Sequence, residues 1–420
     1  MNAYVKRDLY LNRLIVRRDN GQIKAVTGPR RSGKSFLLDP IYKDYLLSKG
    51  VPEDNIIIIS FDIEDEDTPQ ELLDREKLKE YLYSRIASQT ENYYVFLDEI
   101  QEVDGFERIV NGLNKRQNVD VYVTGSNSKF LSSEINTIFR GRSDEVSVLP
   151  FTFREFCQDR QESVNDLWKE YYTYGGLPAL RKMPTAEQKT TYLQKLWKKT
   201  YLDDVVERHN VENREALEAI ADALCSSIGS LTNTTRITNT LGSVRKIKIT
   251  DDTVAKYIGY LEEAFLFNEA RRYNIKGNKY YENIKKYYSI DVGLRNARLN
   301  YRQLEQTHLM ENIIFNELLY RGYVVDVGVV EHRKMVAGKS EYKQYEVDFI
   351  ATDGNEKYYI QSAYEIETGE KREQKLNSLK RIDDSFPKIV IVKDDIMPYR
   401  DNNGILFTGL FQFLFSDKFI

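Results

Sequence analysis

Gly28-Pro29-Arg30-Arg31-Ser32-Gly33-Lys34-Ser35 follows the apolar stretch Ile23 to Thr27 without a break, and Phe36 to Leu47 behind it repeats apolar residues at helical spacing. Glycines at the first and sixth positions of the octet permit a turn whose backbone N–H groups point inward. The start of the following helix adds its positive dipole end, so the segment is suited to holding phosphate oxygens. In a loop of this form a lysine at position 34 reaches the β- and γ-phosphates of a nucleotide, and a serine at position 35 ligates Mg2+. The expected ligands are ATP and Mg2+, with Gly28, Pro29, Arg30, Arg31, Ser32, Gly33, Lys34, Ser35 and Phe36 as the contact segment.

Hydrolysis needs a base and a charge stabiliser as well. A second strand is predicted at Asn55 to Phe61, followed by an acidic stretch, Asp62 to Asp67, that reads as solvated. A third, Tyr93 to Leu97, ends in Asp98-Glu99: Asp98 is placed to hold the Mg2+ shell and Glu99 to orient and deprotonate the attacking water. A fourth, Val119 to Thr124, stops at Gly125-Ser126-Asn127. A polar side chain there would sit between the acidic pair and the γ-phosphate; Thr124, Ser126 and Asn127 all qualify, and Asn127 is the catalytic candidate carried forward. Arg140 and Arg142 precede a fifth strand, Glu145 to Leu149. Arg142 is the arginine favoured to neutralise charge at a neighbouring subunit's γ-phosphate, which requires a homo-oligomer.

The 420 residues exceed what one core usually serves and point to two or three domains. A hydrophobic fraction of 41% with 30% charged residues fits a soluble globular chain, and the longest aliphatic run, Ile56 to Ile59, is too short to span a membrane. Lys6, Arg7 and Asp8 near the start have no apolar segment behind them, so a cytoplasmic protein is expected. Cys157 and Cys225 lack metal-like spacing. A net charge of −4 excludes a globally basic nucleic-acid coat, leaving DNA contact to a local patch.

Five strands in this order, with the phosphate loop, Asp98-Glu99 and a polar strand end, resemble the AAA+ core, an α/β P-loop NTPase fold whose parallel sheet runs 5-1-4-3-2. The strings Asp98-Glu99-Ile100-Gln101, Thr124-Gly125-Ser126, Gly141-Arg142, Tyr174-Gly175-Gly176-Leu177-Pro178 and Arg271-Arg272-Tyr273 look like those of a prokaryotic family of AAA+ ATPases fused to a C-terminal domain of unknown function. The resemblance covers nearly the whole chain. It implies a winged helix-turn-helix after the core and a terminal domain similar to the PD-(D/E)XK nuclease fold. The expected segments are an ATPase core over 1–150, a helical connector or lid over 151–212, a winged helix over 213–300 and a nuclease-like domain over 301–420.

Within these segments the residues sharpen some expectations and weaken others. Phe151 to His209 reads as helical, broken at Gly175-Gly176-Leu177-Pro178, with Arg154, Arg181 and Arg208 as candidate lid arginines. Arg214 to Ile228 is amphipathic, Thr234 to Leu241 is a short helix, and Thr250 or Asp251 caps a helix reaching Glu263. Strand-like Leu266 to Tyr273 and Lys279 to Ser289 then form a basic hairpin turning at Gly277-Asn278, a candidate phosphate contact. Asp251, Asp252, Glu262 and Glu263 on the preceding helix oppose a duplex, so docking of a protein partner is an equal alternative.

In the terminal segment Met310 to Leu319 is a helix bearing Glu311 and Glu317, followed by a strand at Tyr323 to Val327, and Asp348 and Gln361 lie thirteen residues apart on two further predicted strands. The D/E-x-K position reads Gln361-Ser362-Ala363; glutamine is a weak neutral ligand and alanine cannot polarise a water, leaving Lys371 as a distant substitute. Glu317, Asp348 and Gln361 are therefore read as remnants of a nuclease site. The functional expectation is an ATPase coupled to DNA or protein remodelling. Its alternative is an ATP-gated assembly switch with slow turnover, and an ATP-dependent nuclease stands third.

Overall fold

Ile23–Thr27 (β1) has all five side chains buried, as a strand covered on both faces of a parallel sheet must. In this computed structural model, which describes residues 4–61, 70–125, 138–139, 141–336, 339–364 and 376–416, β1 lies between two parallel neighbours. The others are Ile56–Ser60 (β2), Tyr93–Asp98 (β3), Val119–Thr124 (β4) and Ser143–Ser147 (β5). They form one sheet in the order β2-β3-β4-β1-β5, the AAA+ order read from its other edge. The fifth strand begins two residues before the expected Glu145.

By its internal contacts the chain divides into two units, the first comprising residues 1–151 with 177–179 and the second 152–176 with 180–420. In the first, Val95, Leu97, Val121 and Val123 pack with Phe106, Ile109 and Phe139 in one core. Lys24 and Asp120, on adjacent strands, form a buried ion pair. Asp120 also accepts from the Tyr122 hydroxyl at 2.7 Å, and Tyr122 shares a 2.7 Å hydrogen bond with Tyr42. Tyr122→Phe removes one donor to a buried carboxylate and should lower stability by about 1.5–3 kcal/mol, read from the urea midpoint.

The helix expected over Phe36 to Leu47 is interrupted. Helical turns span Lys34–Phe36, Leu37–Tyr42 and Lys43–Ser48, but Asp39 is non-helical at φ −131°, ψ 114°. Pro40 supplies the reason, because its ring drives the preceding residue out of the α region and it has no N–H to give the helix.

In the second unit, capping boxes start helices Phe153–Cys157 and Ala186–Lys195, and Asn213 caps Arg214–Ser226. Thr250 rather than Asp251 caps Asp251–Glu263, its hydroxyl accepting from the Thr253 N–H at 3.2 Å. Helices Val292–Arg298 and Gln306–Arg321 lead into the last strands. The hairpin read as a wing, Phe267–Asn274 (β6) and Lys279–Ser289 (β7), is not free-standing: β6 pairs in parallel with Val324–Val336 (β8). With Lys339–Asp353 (β9), Glu356–Ala363 (β10), Lys388–Val392 (β11), Tyr399–Arg400 (β12) and Leu406–Gly409 (β13) it forms a single mixed sheet in the order β12-β13-β11-β10-β9-β8-β6-β7. No sheet break separates the segments expected at 213–300 and 301–420. Among the described residues no helix is long and apolar enough to cross a membrane.

Candidate functional site

The phosphate-type loop leaves the end of β1 in a conformation that demands glycine. Gly28 has φ +131°, and a Cβ there would lie 2.2 Å from the Val148 carbonyl oxygen, where the chain leaving β5 donates to Thr27 O at 2.8 Å. Gly33 has φ +92° and opens the first helical turn, its carbonyl accepting from Leu37 N at 3.0 Å. Lys34 is almost fully buried and its ammonium donates to the carbonyls of Gly28 (3.2 Å) and Pro29 (3.0 Å), inside the concavity that the loop encloses.

Three oxygen-bearing side chains meet beside it. Ser35 Oγ and Thr124 Oγ1 both donate to Asp98 Oδ1, at 2.9 and 2.5 Å, while Thr124 Oγ1 accepts from the Glu99 N–H at 2.9 Å. Burial raises the Asp98 pKa; the hydrogen bonds from Thr124 and Ser35 and the nearby Lys34 charge oppose the rise. A hard divalent cation prefers an all-oxygen set of this kind, so Ser35 and Asp98 fit Mg2+. Glu99 sits in the left-handed region at φ +51°, a turn that separates its side chain from that of Asp98 on the strand, and Gln101 Nε2 donates to its Oε2.

The remaining predicted residues divide. Ser126, Asn127, Arg140 and Lys371 lie outside the described residues, as does the acidic stretch 62–67. Arg142 is exposed just before β5, its carbonyl accepting from Ile23 N at 2.8 Å, at the opposite end of β1 from Gly28. Over a five-residue strand that is roughly 16 Å of rise. Arg181 donates to Gln158 O at 2.5 Å and Arg208 pairs with Asp204.

Arg7 escaped the sequence reading. It is buried ahead of helix Asp8–Arg17, donating to Ser32 O (3.1 Å) and Leu149 O (2.7 Å), with its guanidinium over Tyr10 and Phe151 at 4.6 and 5.1 Å. It ties the loop to the chain beyond β5. A lone arginine beside an amphipathic helix carries no local signal for carbonyl partners 25 and 142 residues away.

Much of the hairpin's basic character is committed internally. Arg272 is buried and donates to Gln344 at 3.2 Å, Lys276 pairs with Asp383 at 3.1 Å, and Lys285 pairs with Glu269. On the preceding helix burial pushes the Glu262 carboxyl up to about 7, and Glu263 faces His209 at 3.2 Å.

In the terminal sheet Asp348 and Gln361 do meet: Gln361 Oε1 accepts from Asp348 N at 3.3 Å and Asp348 Oδ2 from Ser362 N at 2.8 Å. Glu317 is not with them. It accepts from Arg321 Nε at 2.8 Å, and the helix carboxylate joining the cluster is Glu311. Lys286 from β7 fills the centre, 3.0 Å from Glu311, 2.8 Å from Glu346 and 4.0 Å from Asp348. Burial and the Glu311 carboxylate raise the Asp348 pKa; burial alone would lower that of Lys286, but the surrounding carboxylates hold it above its ordinary value. Among the described residues no group of three or more His, Cys, Asp or Glu is placed to hold a metal ion.

Comparison with known proteins adds family relationships. Residues 20–157 match the family described as an AAA domain, and residues 165–305 match a domain of unknown function (DUF8612). An uncharacterized protein of Haemophilus influenzae is 34% identical over 394 residues, covering 93% of each chain. One from Methanocaldococcus jannaschii is 29% identical over 368 residues, covering 84% of this chain and 77% of that one. Among solved structures, the Aeropyrum pernix ORC1 protein in complex with DNA matches at 13% identity with a TM-score of 0.30, covering 71% of this chain and 94% of that one. That superposition is too loose to bear on function.

Proposed function

We propose that this chain, which belongs to the same family as the Haemophilus influenzae protein and carries an AAA domain on an AAA+ sheet, binds and hydrolyses ATP with Mg2+ and couples hydrolysis to remodelling of DNA or protein through its second unit. The observation that carries the reading is the convergence of Ser35 and Thr124 on Asp98 beside a glycine loop that encloses the Lys34 ammonium. Held by Ser35 and Asp98, bound Mg2+ would neutralise charge on the β- and γ-phosphate oxygens.

The chain's own groups supply the rest. Lys34 exchanges its two carbonyl partners for phosphate oxygens, and the Gly28 to Phe36 backbone surrounds them. Glu99 accepts the proton of the attacking water, Thr124 fixes the Asp98-Glu99 turn, and Asn127 remains the proposed sensor of the γ-phosphate. Gln101 holds one of the two Glu99 carboxylate oxygens, so the orientation of the base depends on that contact. That contact favours a second reading, the ATP-gated assembly switch, in which turnover is slow until a partner frees the base. The setting implied is cytoplasmic.

Arg142 stands far from its own phosphate loop along β1, which supports a role at a neighbour's nucleotide in a homo-oligomer. Arg142→Ala should slow hydrolysis by about 100-fold. Mixing it with Lys34→Ala should recover activity above either variant alone, because a mixed interface joins an intact loop to an intact arginine. No recovery in a steady-state phosphate-release assay would remove the trans role.

The two main readings separate when ATPase rate and oligomer size are followed together with and without DNA. Stimulation by DNA, with a steep salt dependence, supports DNA remodelling. Slow hydrolysis indifferent to DNA, with ATP-dependent assembly, supports the switch.

A further inference from the structure

Two residues of the phosphate loop hold left-handed backbone on either side of Ser32, Arg31 at φ +63° and Gly33 at φ +92°. Alternation of this kind turns successive N–H groups toward one concave face, the arrangement that receives an anion. Gly33 adopts it without a Cβ penalty, but Arg31 carries a side chain and is strained there. A strained turn keeps its shape only where its surroundings fix it.

Arg7 supplies a fixing contact at the centre of the alternation. Its Nη1 donates to Ser32 O at 3.1 Å and its Nη2 to Leu149 O at 2.7 Å, so one planar guanidinium spans the loop and the chain leaving β5. That chain is itself anchored. Val148 N donates to Thr27 O at 2.8 Å, and Leu149 N donates to the Tyr10 hydroxyl at 2.9 Å. The Tyr10 and Phe151 rings lie against the guanidinium, and all three side chains are buried. Arg7, its two carbonyl partners and both rings belong to the first unit.

The direction of the Ser32 carbonyl decides what this clamp does. The Ser32–Gly33 peptide is trans and planar, so its C=O and its N–H point in opposite directions. Holding Ser32 O toward Arg7 aims the Gly33 N–H the other way, across the loop.

We infer that Arg7 is a positioning residue for nucleotide binding, acting on the phosphates through the Ser32–Gly33 peptide whose N–H it aims. The inference rests on the ATP-binding reading. Lys34 brings charge to the loop, whereas Arg7 sets the orientation of an amide and keeps the turn around it in its binding shape before the ligand arrives.

Titration of the full chain with fluorescent analogues of ADP and ATP in Mg2+ tests the role. The loop amides serve the α- and β-phosphates, which both nucleotides carry. Arg7→Ala should therefore weaken both by a similar factor, about 30-fold. KM for ATP should rise with them while kcat at saturation stays within about threefold of wild type; partial unfolding would instead lower kcat by reducing the number of active molecules. Tyr10→Phe keeps the ring against Arg7 and removes only the hydroxyl that Leu149 N uses, so its affinities should stay within about threefold of wild type. Should Arg7→Ala not fold, Arg7→Lys decides: one ammonium cannot span two carbonyls as the fork does, and affinity should fall at least about fivefold. Wild-type affinity in Arg7→Ala or in Arg7→Lys, an equal loss in Tyr10→Phe, or a fall in kcat with KM unchanged overturns the positioning role alone. A wild type that binds neither nucleotide overturns the ATP-binding reading and the inference with it.

Discussion

Glu99→Gln should bind ATP as tightly as the wild type and hydrolyse it about 1,000-fold more slowly. Glutamine keeps the size of the side chain and leaves the Thr124–Glu99 N–H contact in place, because that contact uses the backbone. Asp98, with its hydroxyl donors Ser35 and Thr124, is untouched, so the proposed cation position survives while the proposed base is lost. Lys34→Ala should behave in the opposite way. Removing the ammonium takes away the cation held by the Gly28 and Pro29 carbonyls, and nucleotide affinity should fall out of the measurable range. Fluorescent-nucleotide titration and single-turnover phosphate release separate the two variants. Normal turnover by Glu99→Gln would place the base elsewhere, with Gln101's contact then only a structural tie.

The first unit was largely legible because its signals are local. The strand positions and the glycine turn follow from short apolar runs punctuated by polar strand ends, the sheet order came from the resemblance to the AAA+ core, and the two glycines prove to occupy positive-φ positions. The break at Pro40 was missed: a proline within a helical pattern marks one, but the apolar spacing of Phe36 to Leu47 masked it. Arg7 was not, since its partners are backbone carbonyls brought in by β1 and the chain beyond β5. The second unit resisted for the same reason on a larger scale. Pairing of Arg272 with Val327 joins segments 55 residues apart in a parallel ladder, and no turn residue announces such a contact. Glu311 and Glu317 are equivalent by type, but six residues on a helix turn them to different faces; one reaches Lys286 while the other pairs with Arg321.

Lys286→Met should cost about 3–5 kcal/mol of stability, lowering the urea midpoint of the second unit's transition. The methionine fills similar volume, so the loss is electrostatic: Glu311, Glu346 and Asp348 would keep their places around a centre from which the balancing charge has gone. Adding Glu311→Gln to Lys286→Met should recover part of the loss, because it removes one uncompensated carboxylate. Additive losses in that double-mutant cycle would show that the pair does not interact. The same geometry bears on cleavage. An ammonium within 4.0 Å of all three carboxylates supplies positive charge where a metal-dependent nuclease would need a divalent ion, and it does so from β7 rather than from the strand that carries Gln361. The wild type should therefore leave supercoiled DNA intact in Mg2+ or Mn2+. Nicking that Asp348→Ala abolishes would mean that Lys286 assists a reaction instead of standing in for a cation.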